Sequence, residues 1–150
     1  MLDILIVRDP REPWRKCSLA PLRGMEGVRF VAYRPDRRID AGARVLLHPD
    51  GELLSERDRG APLLVVDCAW RRLPTLLRTI DGEVRPRRLP PFATAYPRAS
   101  KLFEDPEQGL ASLEALYAAS VVLGEPWPAL LDRYPWRERF LELNPPLQPR

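Results

Sequence analysis

The amino-acid sequence predicts an α/β protein in which a parallel sheet is followed by an all-helical region. Residues 62–66 form a continuous apolar run with β-branched residues, which is typical of a strand buried on both faces. Such strands belong to parallel sheets covered by helices. In residues 110–124, apolar side chains recur every three or four positions, which predicts a helix. We therefore expect an α/β lobe over residues 1–92 and a helical lobe over residues 93–150.

The α/β lobe alternates short apolar strands with polar turns and short helices. A strong turn signal, Pro49-Asp50-Gly51, is predicted to end the third strand. After Trp70, the segment RRLPTLLRTI predicts one or two turns of amphipathic helix, and DGEVRPRRLPP predicts a basic loop. The four predicted strands are residues 2–8, 28–33, 44–47 and 62–66.

The second half of the chain contains no comparable strand pattern. Its first helix is predicted to end at Gly124, because glycine commonly follows the last turn of a helix. Two shorter helices follow, separated by Pro135, and residues 145–150 form a proline-rich tail.

Composition favours a cytoplasmic protein and gives no indication of a metal centre. The 150 residues include 2 cysteines and 1 histidine, too few for a disulfide framework or a zinc site. No apolar run is long enough to cross a bilayer, and the N-terminus lacks the pattern of a signal peptide. We expect no metal and no association with membranes.

The net charge is only +3, but the basic residues are concentrated in two segments. Residues 71–101 contain eight basic residues against two acidic ones, a local excess that suits a phosphate backbone. The alternative is a solvated basic surface. A second basic group lies near the start of the chain and consists of Arg8, Arg11, Arg15, Lys16 and Arg23. The candidate RNA-binding residues are Arg71, Arg72, Arg85, Arg87, Arg88 and Arg98.

Asp67 and Trp70 directly follow the apolar run at residues 62–66. Ligands of parallel sheets bind beyond the carboxyl ends of the strands, so this carboxylate and this flat apolar side chain are candidate pocket residues. Alternatively, Asp67 caps the helix that follows, and Trp70 anchors that helix in the core. These residues alone leave both interpretations open.

Six motifs occur in the order found in one known family. They are KCS at 16–18, LHPDGELLSERD at 47–58, VVDCAW at 65–70, RRLPPF at 87–92, LASLEALYAA at 110–119 and WRERFLELN at 136–144. The chain resembles the Tsr3 family of ribosomal RNA aminocarboxypropyltransferases, which are distant relatives of the DTW-domain transfer RNA aminocarboxypropyltransferases. The resemblance runs from Asp9 to Asn144.

This resemblance implies a SPOUT-like fold with a trefoil knot near the cofactor. It implies S-adenosylmethionine as a co-substrate that donates its 3-amino-3-carboxypropyl group and leaves as methylthioadenosine. The acceptor would be a (pseudo)uridine-type base in structured RNA, with ribosomal RNA of the small-subunit precursor expected and transfer RNA as the alternative. The protein is expected to act in ribosome biogenesis as a monomer. Two rival functions are a SPOUT-type RNA methyltransferase and a non-catalytic RNA-binding assembly factor.

The resemblance also assigns site residues. Trp70 would shield the donor methyl group, and Asp67 would be catalytic, acting as a base or by balancing the sulfonium charge. Ser18 matches a donor-contact position, although helix capping is an equally common role for serine. The helical lobe would complete the donor site. The residues assigned to the donor are Ser18, Leu47, Pro49, Asp67, Trp70, Leu89 and Ser112.

The chain departs from the family pattern at residues 93–100, where it has ATAYPRAS. The family has two asparagines and a Tyr-Gly pair in this segment. Because the segment lies near donor and acceptor in the family, the departure leaves the identity of the acceptor open.

Overall fold

A computed structural model describes residues 2–97 and 109–149. At its centre is a five-stranded sheet in the order β2-β1-β4-β3-β5, and all four strand pairings are parallel. The predicted α/β fold with a parallel sheet is confirmed. The strands are β1 (Ile4–Arg8), β2 (Val28–Ala32), β3 (Ile39–Leu53), β4 (Leu63–Asp67) and β5 (Ile80–Arg88).

Helices cover both faces of this sheet. Leu76 of α1 packs on one face with Leu5, Val7 and Leu64. The other face carries the larger core, in which the helices of the second half meet the sheet. The α-helices are α1 (Leu73–Leu77), α2 (Ser112–Val122) and α3 (Arg137–Leu143). Single turns of 3-10 helix lie at Trp14–Lys16, Ala20–Leu22, Glu56–Asp58, Trp70–Arg72, Pro128–Leu131 and Pro145–Leu147.

The third strand is much longer than the predicted residues 44–47. It continues through Pro49-Asp50-Gly51, where its register against β5 shifts between Leu47 and Glu52. The turn signal therefore forms a bulge within the strand, because extra residues on one strand can be accommodated without ending the pairing. Gly51 is required there, since a Cβ atom would collide with the backbone of Pro86.

The predicted basic loop after α1 is a strand instead, β5. It forms one edge of the sheet and pairs on one side with β3. Its prolines and charges resemble those of a loop, but an edge strand tolerates proline and uses charge to prevent further pairing. The sequence pattern alone therefore misassigned this segment.

The described regular elements after residue 109 are helical and pack against the sheet. Leu113, Tyr117 and Phe140 are fully buried in the same core as Ile4 and Leu63. Tyr117 donates a hydrogen bond of 2.6 Å to the carbonyl of Leu147, which secures the proline-rich tail in that core. The trefoil knot and the division into two lobes at residue 92 stay predictions.

Candidate active site

A cavity of about 470 Å³ opens beside the carboxyl end of β4 and the middle of β3, where Leu47, His48 and Pro49 follow the last β3 residue that pairs with β4. Its walls come from these parts of the two strands, the segment after β5 and the start of α2. Most of the lining is apolar, and the polar contributions include those of His48, Arg87, Arg88 and Ser112. A concave, mainly apolar site with a few polar groups is suited to a small-molecule ligand.

Five of the seven residues predicted to contact the donor line this one cavity. They are Leu47, Pro49, Trp70, Leu89 and Ser112. They are far apart in the sequence, so the fold is what brings them together. Asp67 and Ser18 do not line the cavity, although the neighbours of Asp67 in the chain, Val66 and Cys68, do.

Trp70 lies at the edge of the cavity and not in the core. Its side chain is 43% exposed, and its ring centroid lies 6.0 Å from that of His48 at an interplanar angle of 47°. A core anchor would be buried, so that alternative for Trp70 is wrong. The indole instead offers a large apolar surface to a ligand.

Asp67 ends β4 within a small polar cluster. The Cys17 thiol donates a hydrogen bond of 3.0 Å to Oδ2 of Asp67, and Nε of Arg8 lies 3.5 Å from the same oxygen. The Asp67 side chain is only 18% exposed. The cap position of the following 3-10 helix belongs to Ala69, so Asp67 does not cap it.

Both cysteines are held as neutral thiols. Burial, followed by the negative charge of Asp67, raises the pKa of Cys17 to about 11. Burial also raises the pKa of Cys68 to about 12, with Asp9 and Asp67 adding to the effect. Because a thiolate is the reactive form, neither cysteine is suited to act as a nucleophile near pH 7. Cys17 is instead suited to donate a hydrogen bond to Asp67.

Ser18 contacts the helical region and not the cavity. Its hydroxyl oxygen accepts a hydrogen bond of 3.2 Å from the backbone N–H of Leu113, in the first turn of α2. The first amides of a helix have no partner within the helix, so Ser18 satisfies one of them from a distant part of the chain. Ser18 therefore helps to cap a helix, but one that lies far from it in the sequence.

Two buried polar residues that the sequence analysis did not identify hold the segment after β5. The Glu114 carboxylate accepts hydrogen bonds from Thr94 Oγ1, the backbone N–H groups of Ala95 and Ala111, and Tyr134 Oη, at 2.6–3.0 Å. An acidic residue on the apolar pattern LASLEALYAA was the available signal, because a buried carboxylate needs several donors.

Asn144 completes this support from the end of α3. Its side chain accepts a hydrogen bond from the N–H of Ala93 and donates to the carbonyl of Ala93, both at 2.8 Å. Ala93 directly follows Phe92, which lines the cavity. Asn144, the last residue of the FLELN motif, therefore fixes one wall of the site.

Tyr96, in the segment that departs from the family pattern, interacts electrostatically with the polar cluster around Asp67. Burial raises the pKa of Tyr96, and electrostatic interactions with Asp67 and, at the high pH where both ionise, with Cys17 raise it further. Its ring also packs edge-on against Trp136, with centroids 5.3 Å apart. The departure at residues 93–100 thus introduces a tyrosine whose pKa responds to Asp67. Residues 98–100 lie outside the described residues.

Several of the candidate RNA-binding arginines contact other parts of the chain. Arg72 forms an ion pair of 2.6 Å with buried Asp9, Arg87 pairs with Asp58 at 3.3 Å, and Arg88 donates to the carbonyl of Gly51. Arg71 and Arg85 are exposed, and Arg98 lies outside the described residues. An RNA-binding role for these six residues stays a prediction.

Neither a metal centre nor a membrane span is found in the described part of the chain. Within residues 2–97 and 109–149, no three histidine, cysteine or acidic side chains are grouped as metal ligands would be. No helix in these ranges is both long and apolar enough to cross a bilayer.

No protein-family model and no curated protein matches this sequence. Among solved structures, the chain is similar to the SAM-dependent rRNA:acp-transferase Tsr3 from Vulcanisaeta distributa, with a TM-score of 0.71. The two chains share one fold. The alignment covers 97% of this chain and 80% of the other, with 23% sequence identity, so the likeness extends over almost the whole chain.

We predict that Asp67→Asn lowers the pKa of Cys17 from about 11 toward the ordinary thiol value, because it removes a negative charge that opposes the thiolate. The pKa stays above that value, since burial remains. Ultraviolet absorbance of the thiolate during a pH titration, in a Cys68→Ser background, measures it. Asp81→Asn, which removes a charge elsewhere, should leave the pKa unchanged. An unchanged pKa in Asp67→Asn would contradict the Cys17–Asp67 contact.

We further predict that Asn144→Ala destabilises the fold by about 1–3 kcal/mol, because it leaves both backbone groups of Ala93 without their partner. Chemical denaturation measures the loss. Gln148→Ala is the matched control, since its amide donates to the carbonyl of Leu141 from an exposed position. If both variants lost the same free energy of unfolding, the prediction that Asn144 stabilises the fold more than Gln148 would be wrong.

Proposed function

We propose that this protein transfers the 3-amino-3-carboxypropyl group of S-adenosylmethionine to a uridine-type base in structured RNA and releases methylthioadenosine. The observation that carries the proposal is the cavity beside the carboxyl end of β4 and the middle of β3, in which five of the seven residues that the family resemblance assigns to the donor meet. The likeness in fold to the rRNA:acp-transferase supports the same reaction class.

The cavity suits the donor in size and chemistry. Its volume of about 470 Å³ lies in the usual range for small-molecule sites. Leu47 and Pro49 would hold the adenine through the backbone of β3, and Ser112 at the start of α2 offers a hydroxyl. Trp70 offers a partly exposed π surface, which attracts a sulfonium cation.

The reaction requires orientation more than activation. A base nitrogen attacks the carbon of the aminocarboxypropyl chain next to sulfur, an N–C bond forms, the C–S bond breaks, and methylthioadenosine leaves with the bonding electrons. The nitrogen loses its proton to solvent or to a nearby carboxylate. Because the sulfonium is already a good leaving system, holding the two reactants in line supplies much of the rate.

Trp70 and Asp67 would decide which carbon reacts. An indole packed on the methyl group keeps that competing electrophile away from the base. Asp67, held as an acceptor by Cys17 and Arg8, would balance the sulfonium charge or orient the acceptor. Arg8 already offsets part of the Asp67 charge, so an orienting role fits its surroundings better than strong basicity.

The finer assignments are part of this proposal. The acceptor would be a (pseudo)uridine in ribosomal RNA of the small-subunit precursor, with transfer RNA as the alternative. The protein would work as a cytoplasmic monomer in ribosome biogenesis, and the chain would form a trefoil knot beside the donor.

Donor labelled in its carboxyl group, incubated with cellular RNA, tests the reaction directly. We expect label in RNA and release of methylthioadenosine. Asp67→Asn, which keeps the shape and removes the charge, should lower the rate on the order of 10²-fold, the usual scale for a positioned charge. Label found only in S-adenosylhomocysteine would mean methyl transfer. No consumption of donor with any RNA would favour the non-catalytic assembly factor.

Trp70→Ala should weaken binding of S-adenosylmethionine by about 1–3 kcal/mol, the scale of one buried aromatic contact with a cation–π share. Calorimetry measures the affinity. Trp136→Ala is the control, because Trp136 is comparably exposed at 37% but contacts Tyr96 and Tyr134 instead of lining the cavity. Unchanged affinity in folded Trp70→Ala would overturn the donor assignment.

A further inference from the structure

A second partly exposed tryptophan, Trp14, lies outside the donor cavity among arginines. The guanidinium carbon of Arg8 lies 3.7 Å from the Trp14 ring centroid, and that of Arg23 lies 4.3 Å from it. Phe30 packs edge-on against the same ring, with centroids 5.6 Å apart. The indole is therefore fixed in place while its side chain stays 36% exposed.

Arg8 connects this tryptophan to the proposed reaction centre. It is the last residue of β1, lies opposite Asp67 in the β1–β4 pairing, and is only 5% exposed. Its Nε is 3.5 Å from Asp67 Oδ2, and no hydrogen-bond partner for this buried Nε occurs among the described residues. Trp14 is thus separated from Asp67 by a single arginine side chain.

The strand order separates this tryptophan from the donor cavity. The cavity lies beside the end of β4 and the middle of β3, whereas Arg8 and Phe30 belong to β1 and β2, and β4 lies between β1 and β3. Asp67 ends β4, so it stands between the two. A reactant arriving on the Trp14 side would reach Asp67 from the side opposite to the donor.

The surface around Trp14 carries a local excess of positive charge. Arg11, Arg15 and Arg23 are exposed, and no ion pair of any of them occurs among the described residues. The acidic Asp9 nearby is buried and paired with Arg72. A guanidinium stacked on an indole, as Arg23 is, loses little freedom when it binds a phosphate through its N–H edge.

We infer that Trp14, Arg11, Arg15 and Arg23 form an arginine–tryptophan surface that binds the sugar–phosphate backbone of the RNA acceptor and directs the target base toward Asp67. This inference rests on the proposed function and adds to it the side from which the acceptor enters. Arginine with an exposed aromatic side chain is the combination that single-stranded nucleic acids favour, through phosphate contacts and stacking. Arg72 and Arg87 already form ion pairs within the chain, whereas the guanidinium of Arg23 donates only to the carbonyl of Ala20, at 3.3 Å, and no ion pair of Arg11, Arg15 or Arg23 occurs among the described residues.

The test compares two triple variants with equal loss of charge. In one, Arg11, Arg15 and Arg23 are replaced by glutamine. In the control, glutamine replaces Arg57, Arg78 and Arg133, which are also exposed but lie elsewhere in the sequence. Binding of a labelled single-stranded oligouridylate and of total ribosomal RNA is measured over a range of salt concentrations, and calorimetry with S-adenosylmethionine checks that the donor site is intact.

We expect the surface variant to lower the slope of log affinity against log salt by about 2, since each phosphate contact contributes about 0.7–0.9. The control should change the slope by less than half of that, and both variants should bind the donor normally. Equal slopes in both variants, or a wild-type slope in the surface variant, would overturn the inference. Binding of an acidic peptide is measured in the same way. If the surface variant lost affinity for this peptide but kept its affinity for RNA, the inference would also be overturned.

The outcomes also separate this inference from the proposed reaction. If wild-type protein labels RNA and the surface variant binds and labels it equally well, the acceptor surface is wrong and the reaction stands. If wild-type protein labels no RNA, but the salt dependence of RNA binding falls in the surface variant and not in the control, the acceptor surface is supported and the proposed reaction is wrong.

Discussion

The site depends on the register in which β1 pairs with β4, because this register sets Arg8 directly opposite Asp67. Bringing a guanidinium and a carboxylate together where they are largely shielded from water is costly unless further hydrogen bonds satisfy them. Cys17 supplies one such bond to Asp67, and the Arg8 guanidinium donates another to the carbonyl of Glu12. A shift of one residue in this pairing would turn Arg8 to the face of the sheet opposite to Asp67 and separate the two charges.

A second constraint joins the helical region to the same edge of the sheet. Glu114 and Asn144 bind the backbone of Ala93 and Ala95, immediately after the cavity wall. A carboxylate with 0% exposure is stable only if donors surround it, so Glu114 both requires this segment and fixes its path. α2 forms part of the cavity wall, and Asn144 after α3 fixes the adjacent segment, although both lie far in the sequence from the strands that also line the cavity.

Local sequence predicted the features that local physical chemistry determines. The apolar run before Asp67 is a buried strand whatever surrounds it, and Trp70 follows at a strand end, where ligands of parallel sheets bind. The fold of β5 depends on its partner, because prolines and arginines form a strand only at the edge of a sheet that β3 provides. The ion pair between Arg72 and Asp9 could not be predicted from local sequence either, because 63 positions separate the two residues. The sequence identified Asp67 as a strand-end residue. Its hydrogen bond with Cys17 and its ion pair with Arg8 are visible only in the tertiary structure.

Two of the three exposed tryptophans, Trp14 and Trp70, lie at the carboxyl edge of the sheet and indicate how this edge can work. Leaving an indole in water forgoes the stabilisation that burial of a large aromatic side chain gives, so exposed tryptophans are expected where something binds. Trp70 lines the cavity beside β3 and the end of β4, Trp14 contacts Arg8 of β1 and Phe30 of β2, and Asp67 ends β4, the strand next to β1. The proposed donor is cationic and the proposed acceptor chain is anionic. The mainly apolar cavity next to Asp67 would suit the first, and the exposed guanidinium groups around Trp14 would suit the second. Because Arg8 contacts both Trp14 and Asp67, the same buried arginine that neutralises the carboxylate also divides the two sides.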